Sequence, residues 1–383
     1  MSMKKRAEKL IVFVVNTPEF FISHRLPLAI AAKKNGWSVG VISGQGSGVE
    51  KIESLGCTHY VIPIVRSGQN PLQDLWSFFC IVRLFRRLKP DLVHLITIKP
   101  VLYGGIAARL AGVKSMVAAI SGLGTVFHSS AEGGRFRREL VKKMYRAAFQ
   151  HSRLRVIFQN PDDRDALIQA QALKIDEVKM IKGSGVDLYK YPVVSEPEGR
   201  PVVVMAARLL KDKGVFEFVR AAEILKNERG VDVEFRLIGS PDPGNPTSAT
   251  EQDLAKWKQD GAVKLLGYRT DIADQYGTAN VVCLPSYYGE GLPKSLVEAA
   301  ACGRAVVTTD HPGCRDAIKP SESGVLIPVK DSVALADAIQ SLLNDSALRM
   351  QMGRAGRDLA EKEFAIEKIV DQHMQIYAEL LAK

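Results

Sequence analysis

The stretch "NVVCLPSYYGEGLPKSLVEAAACGRAVVTTD" spans residues 280–310 and contains a strand, a glycine-rich loop, a helix and a second strand. The runs "NVVCLPS" and "AVVTTD" are short, apolar and rich in β-branched residues, as buried strands are. Between them, the spacing predicts a helix from Pro293 to about Cys302, with Gly303 as its left-handed cap. A strand, a helix and a second strand in this order form the unit from which parallel sheets are built.

The same alternation continues in both directions along the chain. Strand-like runs such as "KLIVFVV", "DLVHLIT" and "PVVVMAAR" alternate with helical patterns such as "HRLPLAIAAKKNG" and "FEFVRAAEILKNERG". The predicted fold class is therefore α/β, with two doubly wound parallel sheets covered by helices. A polar, proline-containing segment at 191–202 separates the two series, which predicts domains at 1–190 and 201–362 joined by a linker at 191–200. Ligands of such sheets bind beyond the carboxyl ends of the strands, so we expect the chemistry in a cleft between the domains.

Length and composition agree with two domains and exclude several classes of protein. The chain has 383 residues, and 46% of them are hydrophobic. It has no run of about 18 uncharged apolar residues, so no transmembrane helix is predicted. The start, "MSMKKRAEKLIVFVVN", is interpreted as a first buried strand, because it lacks the cleavage site of a secretion signal. Five cysteines without a CxxC pair favour reduced thiols in a cytoplasmic protein.

The net charge of +10 is concentrated in the first half of the chain. Residues 1–190 carry 29 Lys/Arg against 14 Asp/Glu, whereas residues 191–383 carry 23 against 28. This asymmetry indicates that the first half faces a polyanion or an anionic membrane. Nucleic acid is the less favoured partner, because the sequence shows no pattern of a nucleic-acid-recognition fold and no basic strand with interleaved aromatic residues.

Two predicted helices of the first half carry cations on one face. In "LWSFFCIVRLFRRLK" these are Arg83, Arg86 and Arg87, beside the aromatic residues Trp76, Phe78, Phe79 and Phe85. In "GGRFRRELVKKMYRAAF" they are Arg135, Arg138, Lys142 and Arg146. Basic amphipathic helices bind anionic bilayers, which predicts a peripheral membrane protein. The alternative is an ordinary helix that buries its apolar side on the sheet, and both can hold together.

Two carboxylates, Glu290 and Glu298, flank the start of the helix in the opening stretch. The free N–H groups of a helix N-terminus attract an anion such as phosphate, and neighbouring glycines allow close approach. Ionised carboxylates accept hydrogen bonds from hydroxyl-rich partners such as sugars. A surface turn followed by a helix with one solvated glutamate is the alternative on this stretch alone.

A second motif of the same half, "PVVVMAARLLKDKGV", places Arg208 at a strand end and Lys213 five residues later. Two cations at the carboxyl edge of a sheet can bind a diphosphate, although basic loops are often only solvated. A third motif, "LLGYRTDI", places Gly267 and Tyr268 after a short strand, where their backbone could border a flat base. Asp271 is interpreted as a helix N-cap.

Together these motifs resemble the retaining nucleotide-sugar glycosyltransferases of family 4, which have the GT-B fold of two Rossmann-like domains. The resemblance covers most of residues 200–357, from "AARLLKDKGV" to "LLNDSALRMQMGRAGR", in order and at family-like spacing. It also implies that "GSGVD" (183–187) ends the first domain and that 363–383 crosses back onto that domain as a helix.

The resemblance assigns a role to each motif. Glu290 and Glu298 match the two acids of the family signature, with Glu290 at the sugar hydroxyls and Glu298 at the ribose. Arg208 and Lys213 match the pair that holds the donor diphosphate. The backbone of the loop after Glu290 lines the sugar pocket: Gly291, Leu292 and Pro293.

The first half departs from the family's common pattern. Many members carry a Gly-Gly pair after the first strand, where this chain has "NTPEFFISHRLPLA", with Asn16 at the place where the backbone meets the donor phosphates. This segment, together with "AAISGLGTVF", is similar to bacterial enzymes that extend polyprenyl-diphosphate-linked glycans. The residues predicted on the acceptor side are His24, Arg25, Gly122, Gly124 and His128. No histidine is assigned as a base, since a lone histidine is more often structural.

The function predicted from the resemblance is retaining transfer of a hexose or N-acetylhexosamine from a UDP-sugar to a polyprenyl-diphosphate-linked sugar in bacterial surface-glycan synthesis. No metal or other cofactor is expected, because Arg208, Lys213 and a helix N-terminus replace the metal and the sequence has no DxD-like cluster. UDP is preferred over GDP only as a family expectation. Transfer to a soluble acceptor, a GT-B sugar-nucleotide epimerase and a sugar-nucleotide sensor are the alternatives. A dehydrogenase is disfavoured, because "GQGSG" (44–48) lacks the GxGxxG register.

Overall fold

The computed structural model describes residues 8–64, 70–124 and 134–382, with the backbone alone at 134–137. The chain forms two compact units, Met1–Ser184 with Glu367–Lys383, and Gly185–Ile366. Each unit contains one parallel sheet with helices, so the predicted α/β fold class is confirmed.

The first unit is built on a seven-stranded parallel sheet in the order β3-β2-β1-β4-β5-β6-β7. Its strands are β1 Leu10–Val14, β2 Ser38–Ser43, β3 Thr58–Val61, β4 Leu92–Ile96, β5 Ser115–Ile120, β6 Leu154–Phe158 and β7 Val178–Met180. The central strands are continuous apolar runs, because both faces of the sheet are covered. The register sets Val12 opposite both Gly40 and Val93.

In the described part of this unit, seven helices lie between these strands, and several begin at a side-chain cap. They are α1 Pro18–His24, α2 Leu26–Lys34, α3 Val49–Ser54, α4 Pro71–Leu88, α5 Ile98–Leu110, α6 Gly134–Ala148 and α7 Pro161–Gln169. Asn70 Oδ1 accepts from the backbone N–H of Leu72 (3.0 Å) at the start of α4. Asn160 Oδ1 accepts from Asp163 N (2.8 Å) at the start of α7. A proline follows each of these caps, where its missing N–H would have no partner.

The second unit contains a six-stranded parallel sheet in the order β10-β9-β8-β11-β12-β13. Its strands are β8 Val202–Ala206, β9 Glu234–Ile238, β10 Lys264–Gly267, β11 Val281–Leu284, β12 Ala305–Thr309 and β13 Gly324–Ile327. Its helices are α8 Val215–Glu223, α9 Glu251–Asp260, α10 Ile272–Gly277, α11 Lys294–Ala301, α12 Ser332–Asn344 and α13 Ser346–Leu359. Short π-helical turns extend α8 and α13, at Ile224–Glu228 and Ala360–Phe364.

The segment that the sequence marks as a linker, 191–200, lies within the second unit. Arg304 Nη2 donates to the carbonyl of Val194 (3.0 Å), and Arg349 Nη2 pairs with Glu196 (2.7 Å). Both guanidinium groups are largely buried, so these contacts fix the segment on α13 and on the turn before β12.

The last helix, α14 Ile366–Ala382, returns to the core of the first unit. Its apolar residues pack with the face of the sheet that includes β1, and Ser115 Oγ donates to the carbonyl of Leu380 (3.2 Å). Arg155 of β6 forms a salt bridge with Glu379. Helix α14 is therefore part of the first unit although the chain reaches it from the second.

Candidate active site

The loop between β11 and α11 brings Glu290 and Lys213 together. Lys213 Nζ donates to Glu290 Oε1 at 2.5 Å, and Ser286 Oγ donates to the same oxygen at 2.9 Å. The two ionic side chains are only 13% and 12% exposed, so the pair is largely shielded from water. A cation and an acceptor thus meet at the carboxyl edge of the sheet, where the sequence places them.

Lys213 is held on this loop by a tight backbone approach. It ends a short 3-10 turn, Lys211–Lys213, and is followed by Gly214 with φ +78°. A Cβ at Gly214 would lie 2.1 Å from the carbonyl oxygen of Pro285, so only glycine fits there. Tyr287 N donates to the carbonyl of Asp212 at 2.9 Å, which joins the turn to the Glu290 loop.

Arg208, the other predicted cation, lies just after β8 and pairs with Asp242, which the motifs of the sequence do not mark. Its Nη1 donates to Asp242 Oδ2 at 2.6 Å, with both side chains about a third exposed. The available signal was positional, since Asp242 follows β9 at the same sheet edge. Gly239 (φ +140°) permits this arrangement, because a Cβ there would lie 1.8 Å from the carbonyl oxygen of Ala207.

Glu298 is buried in α11, and the alternative of a solvated glutamate is wrong. The residue is 7% exposed, and its carboxylate accepts a 2.6 Å hydrogen bond from the hydroxyl of Tyr191. Lys294 Nζ lies 3.5 Å from the same oxygen, Oε1. Burial raises the pKa of Glu298, while Lys294 and the Tyr191 hydrogen bond oppose that shift. Burial and the Glu298 charge in turn raise the pKa of Tyr191.

The backbone from Gly291 to Pro293 leads into α11, which begins one residue later than predicted. Pro293 is the N-cap residue, with φ −63° and ψ 120°, and Lys294 is the first helical residue. The helix ends before Gly303 (φ +66°), as expected. Leu292 is buried, at 8% exposure. Gly313 packs against this loop so closely that a Cβ would lie 2.5 Å from the carbonyl oxygen of Gly291.

Gly267 ends β10, further along the same sheet, and Tyr268 follows it. Gly267 has φ +64°, and its carbonyl accepts from Gly239 N at 2.8 Å. The Tyr268 ring is 77% exposed. Asp271 occupies the N-cap position of α10, but its carboxylate makes no cap hydrogen bond and accepts instead from Arg269 Nε (2.7 Å) and Gln275 Nε2 (3.1 Å).

In the first unit, Asn16 follows β1 and is 9% exposed. Its carbonyl accepts from Gly44 N at 3.1 Å, and its Oδ1 has no hydrogen-bond partner within the described residues. His24, at the end of α1, stacks on Phe20 with ring centroids 4.3 Å apart, and its Nδ1 lies 2.6 Å from Ser23 Oγ. These contacts place Asn16 beneath the β1–α1 turn and His24 on the helix surface.

Arg25, predicted on the acceptor side, is only 2% exposed. Burial lowers its pKa to about 10, while Tyr377 of α14 opposes that shift. Gly122 (φ +101°) and Gly124 (φ +67°) follow β5, and Leu123 N between them donates to Asp163 Oδ1 at 3.3 Å. His128 lies outside the described residues.

Comparisons with known proteins match both units. The family described as "Glycosyl transferase 4-like" matches residues 10–160, and "Glycosyl transferases group 1" matches residues 191–359. The chain is 30% identical to N,N'-diacetylbacillosaminyl-diphospho-undecaprenol alpha-1,3-N-acetylgalactosaminyltransferase of Campylobacter jejuni, over 93% of this chain and 97% of that protein. It is 27% identical to UDP-Gal:alpha-D-GlcNAc-diphosphoundecaprenol alpha-1,3-galactosyltransferase of Escherichia coli, over 84% of each chain.

Among solved structures, sucrose-phosphate synthase of Thermosynechococcus elongatus shares the fold, with a TM-score of 0.79 at 21% identity over 98% of this chain and 100% of that chain. The two parallel sheets and these matches define a glycosyltransferase with the GT-B fold. Within that class, the chain belongs to the family 4 glycosyltransferases.

Proposed function

We propose that this glycosyltransferase moves a hexose or N-acetylhexosamine from a UDP-sugar to a polyprenyl-diphosphate-linked sugar in bacterial surface-glycan synthesis. The observation that carries the donor half is the shielded Lys213–Glu290 contact at the carboxyl edge of the second sheet. The acceptor half is supported by the relatives of Campylobacter jejuni and Escherichia coli, whose names specify diphospho-undecaprenol acceptors. The second name also specifies UDP-galactose, which supports a UDP-linked donor.

Arg208 and Lys213 are proposed to hold the donor diphosphate. When the anomeric bond breaks, negative charge develops on the diphosphate, and preorganised cations stabilise it most strongly where water is excluded. Lys213 lies in such a shielded place and is oriented by Glu290 before the donor arrives. The backbone N–H groups at the start of α11 add positive potential at the same loop. We infer that no metal is required, because these groups supply the charge that a metal would provide.

Glu290 and Glu298 are proposed to bind hydroxyl groups of the donor. Glu290 would accept from the sugar next to the reacting carbon, in the place where Lys213 and Ser286 now donate to it. Glu298 would accept from the ribose, because Tyr191 and Lys294 both contact its Oε1 and hold the carboxylate in position. We infer retention of anomeric configuration, with the acceptor attacking on the face from which the diphosphate departs and the phosphate taking the acceptor proton.

A peripheral position on the inner face of the cell membrane is part of the proposal. No helix in the described part of the chain is long and apolar enough to span a bilayer. On α4, one face carries exposed Leu72, Trp76 and Phe79, followed by the exposed cations Arg83, Arg86 and Arg87. An apolar half beside a cationic half suits the interface of an anionic bilayer. The second cationic helix, α6, supports this less, because Lys142 pairs with Glu139 and Arg146 donates to the carbonyl of Ala170.

The decisive experiment screens UDP- and GDP-sugars against lipid-diphosphate-linked and soluble acceptors, and then determines the product linkage by NMR. We expect transfer from a UDP-sugar to the lipid-linked acceptor, with the anomeric configuration of the donor retained and undiminished activity in a chelator. Transfer only to soluble acceptors, or interconversion of the UDP-sugar without any acceptor, would support the alternative functions. An inverted product would remove the retaining mechanism.

A further inference from the structure

The first unit contains a groove of about 710 Å³ that the donor site does not use. Helix α5 forms its floor, and α4 and α6 form its walls. The interior is apolar, with Phe78 from α4, Leu102 and Ile106 from α5, and Met144 from α6. Pockets of about 300–1,000 Å³ with mainly apolar linings are typical of small-molecule sites.

One end of this groove is polar and lies at the carboxyl edge of the first sheet. Lys99 Nζ pairs with Asp74 Oδ1 at 2.8 Å, and the Tyr103 hydroxyl donates to Asp74 Oδ2 at 2.9 Å. Lys99 belongs to the first turn of α5, directly after β4, and Leu123, which also lines the groove, follows β5. This is the edge where ligands of a doubly wound sheet bind. Leu123 lies between Gly122 and Gly124, which the sequence analysis assigned to the acceptor side.

The rims of the groove are apolar and exposed. Leu75 on α4 is 51% exposed, and Leu140 on α6 is 49% exposed. Beside Leu75, on the outer face of α4, lie Trp76 and Phe79, at 63% and 53% exposure. Large apolar side chains on two rims and on an adjoining face indicate a surface that meets another apolar phase. The groove is therefore apolar from its interior to its outer rims, with its polar groups at the end next to the sheet edge.

We propose that this groove binds the first isoprene units of the polyprenyl diphosphate acceptor. A chain in this position would lie along α5, between the walls that carry the rim leucines, and present its diphosphate at the Lys99 end. Helices α4, α5 and α6 all begin on this side of the sheet, and their N-terminal dipoles favour an anion there. The inference rests on the proposed function, because that function supplies a substrate with an apolar chain and an anionic head.

The test compares acceptors that carry the same sugar diphosphate on a long polyprenyl chain and on a methyl group. The methyl compound, called the short-chain acceptor below, is water-soluble and has no isoprene unit to place in the groove. Ile106→Trp fills the groove from its floor, and Met144→Trp fills it from one wall. We expect each variant to raise KM for the long-chain acceptor about tenfold or more, with kcat and the KM for the short-chain acceptor nearly unchanged. The matched control is Leu110→Trp, on the same helix as Ile106 but at a 52% exposed position outside the groove.

A second measurement reads binding without activity. A polyprenyl diphosphate with a benzophenone group on its first isoprene units should crosslink to peptides of α4, α5 or α6, and Ile106→Trp should suppress the label. Labelling of these peptides without any sugar transfer would support the proposal that the groove binds the polyprenyl chain and would contradict the proposed function. Transfer with the same KM for both acceptors, or crosslinks only to peptides outside these helices, would contradict the groove proposal but not the proposed function. An equal rise in KM for both acceptors would also overturn it, because blockage of the groove affects only the long chain.

Discussion

Lys213 is the residue on which the proposed donor chemistry most depends. Its ammonium group is 2.5 Å from Glu290 and lies over the ring of Tyr288, with 5.4 Å to the ring centroid. A cation in so shielded a position is already oriented when the diphosphate begins to leave, so little reorganisation is needed during the reaction.

We predict that Lys213→Met lowers kcat about 100–1,000-fold, the usual loss for one preorganised donor at a developing charge. Lys211→Met is the matched control, since Lys211 lies in the same turn but is exposed. Steady-state rates with a saturating UDP-sugar measure the effect, and circular dichroism checks that the protein as a whole still folds. A Lys213→Met enzyme with the rate of the control would remove Lys213 from the mechanism.

Asp242 makes a second prediction possible at the residue scale. Its carboxylate forms a salt bridge with Arg208 at 2.6 Å. A bound diphosphate must therefore share the guanidinium group with this carboxylate or displace the carboxylate from it. A pair of this exposure contributes at most about 1 kcal/mol. We therefore expect Asp242→Asn to lower the donor KM, by about fivefold at most, with kcat little changed. A raised KM would instead mean that Asp242 holds Arg208 in its binding position. Asp253→Asn, in the cap of α9, is a control for the loss of an acid from this unit.

The sequence predicted the positions of Glu290, Glu298, Arg208 and Lys213 but not the partners that orient them. Glu290 and Lys213 are 77 residues apart, and Tyr191 lies 107 residues from Glu298. Such pairings depend on how neighbouring strand ends meet, which periodicity and motif spacing do not determine. The polar, proline-containing surroundings of Tyr191 predict a linker. In the structure, the guanidinium groups of Arg304 and Arg349 hold that segment on the second unit.

At the scale of elements, helix α4 shows what helical spacing can and cannot predict. The sequence correctly places Arg83, Arg86 and Arg87 together on an exposed face. Phe85, which the sequence places beside them, is fully buried, whereas Leu72, Trp76 and Phe79 are exposed. The reason is that the sheet packs against only one face of α4, whereas the apolar residues of α4 extend beyond that face.

We predict that reversing three charges, as in Arg83→Glu, Arg86→Glu and Arg87→Glu together, strongly reduces sedimentation with anionic vesicles at low salt. Each cation near an anionic surface contributes about 1 kcal/mol, so the loss should exceed tenfold in the partition coefficient. The matched control reverses three exposed cations of the second unit, Lys256 and Lys258 of α9 and Lys264 of β10. Sedimentation unchanged relative to that control would contradict membrane binding through α4.

At the scale of the whole molecule, the two parallel sheets were predictable because the central strands are largely apolar runs between helical patterns, with His94 of β4 as an exception. The return of 363–383 to the first unit as a helix, which the resemblance implies, is confirmed, but the side-chain contacts that α14 makes there are not predictable from the sequence. Tyr377 of α14 lies with its hydroxyl 2.6 Å from Nδ1 of His94 in β4, a contact between residues 283 positions apart. Arg25 and His373 are also fully buried, and their charges lower the pKa of His94. The charge of Arg25 also lowers the pKa of His373.

This buried cluster predicts how the stability of the first unit depends on pH. Burial, helped by the nearby charge of Arg25, lowers the pKa of His94 well below its usual value and that of His373 to about 3. Both imidazoles are therefore neutral when folded, whereas the unfolded chain protonates them below about pH 6.5. The free energy of unfolding should be level above that pH and fall below it, by up to about 1.4 kcal/mol per pH unit for each histidine, until the folded pKa is reached.

His373→Gln should make that slope shallower, because one buried group no longer takes up a proton on unfolding, while Gln retains a donor for the carbonyl of Ile369. Urea unfolding between about pH 7 and pH 5 measures the slope, followed by near-ultraviolet circular dichroism of the first unit's aromatic residues. The control is His24→Gln, which removes an imidazole from a partly exposed helix end. If both His373→Gln and His24→Gln left the slope unchanged from that of the unmodified protein, the buried histidines would not be the source of the protein's acid sensitivity. A slope reduced only in His373→Gln would tie the acid stability of the first unit to the helix that returns to it from the second.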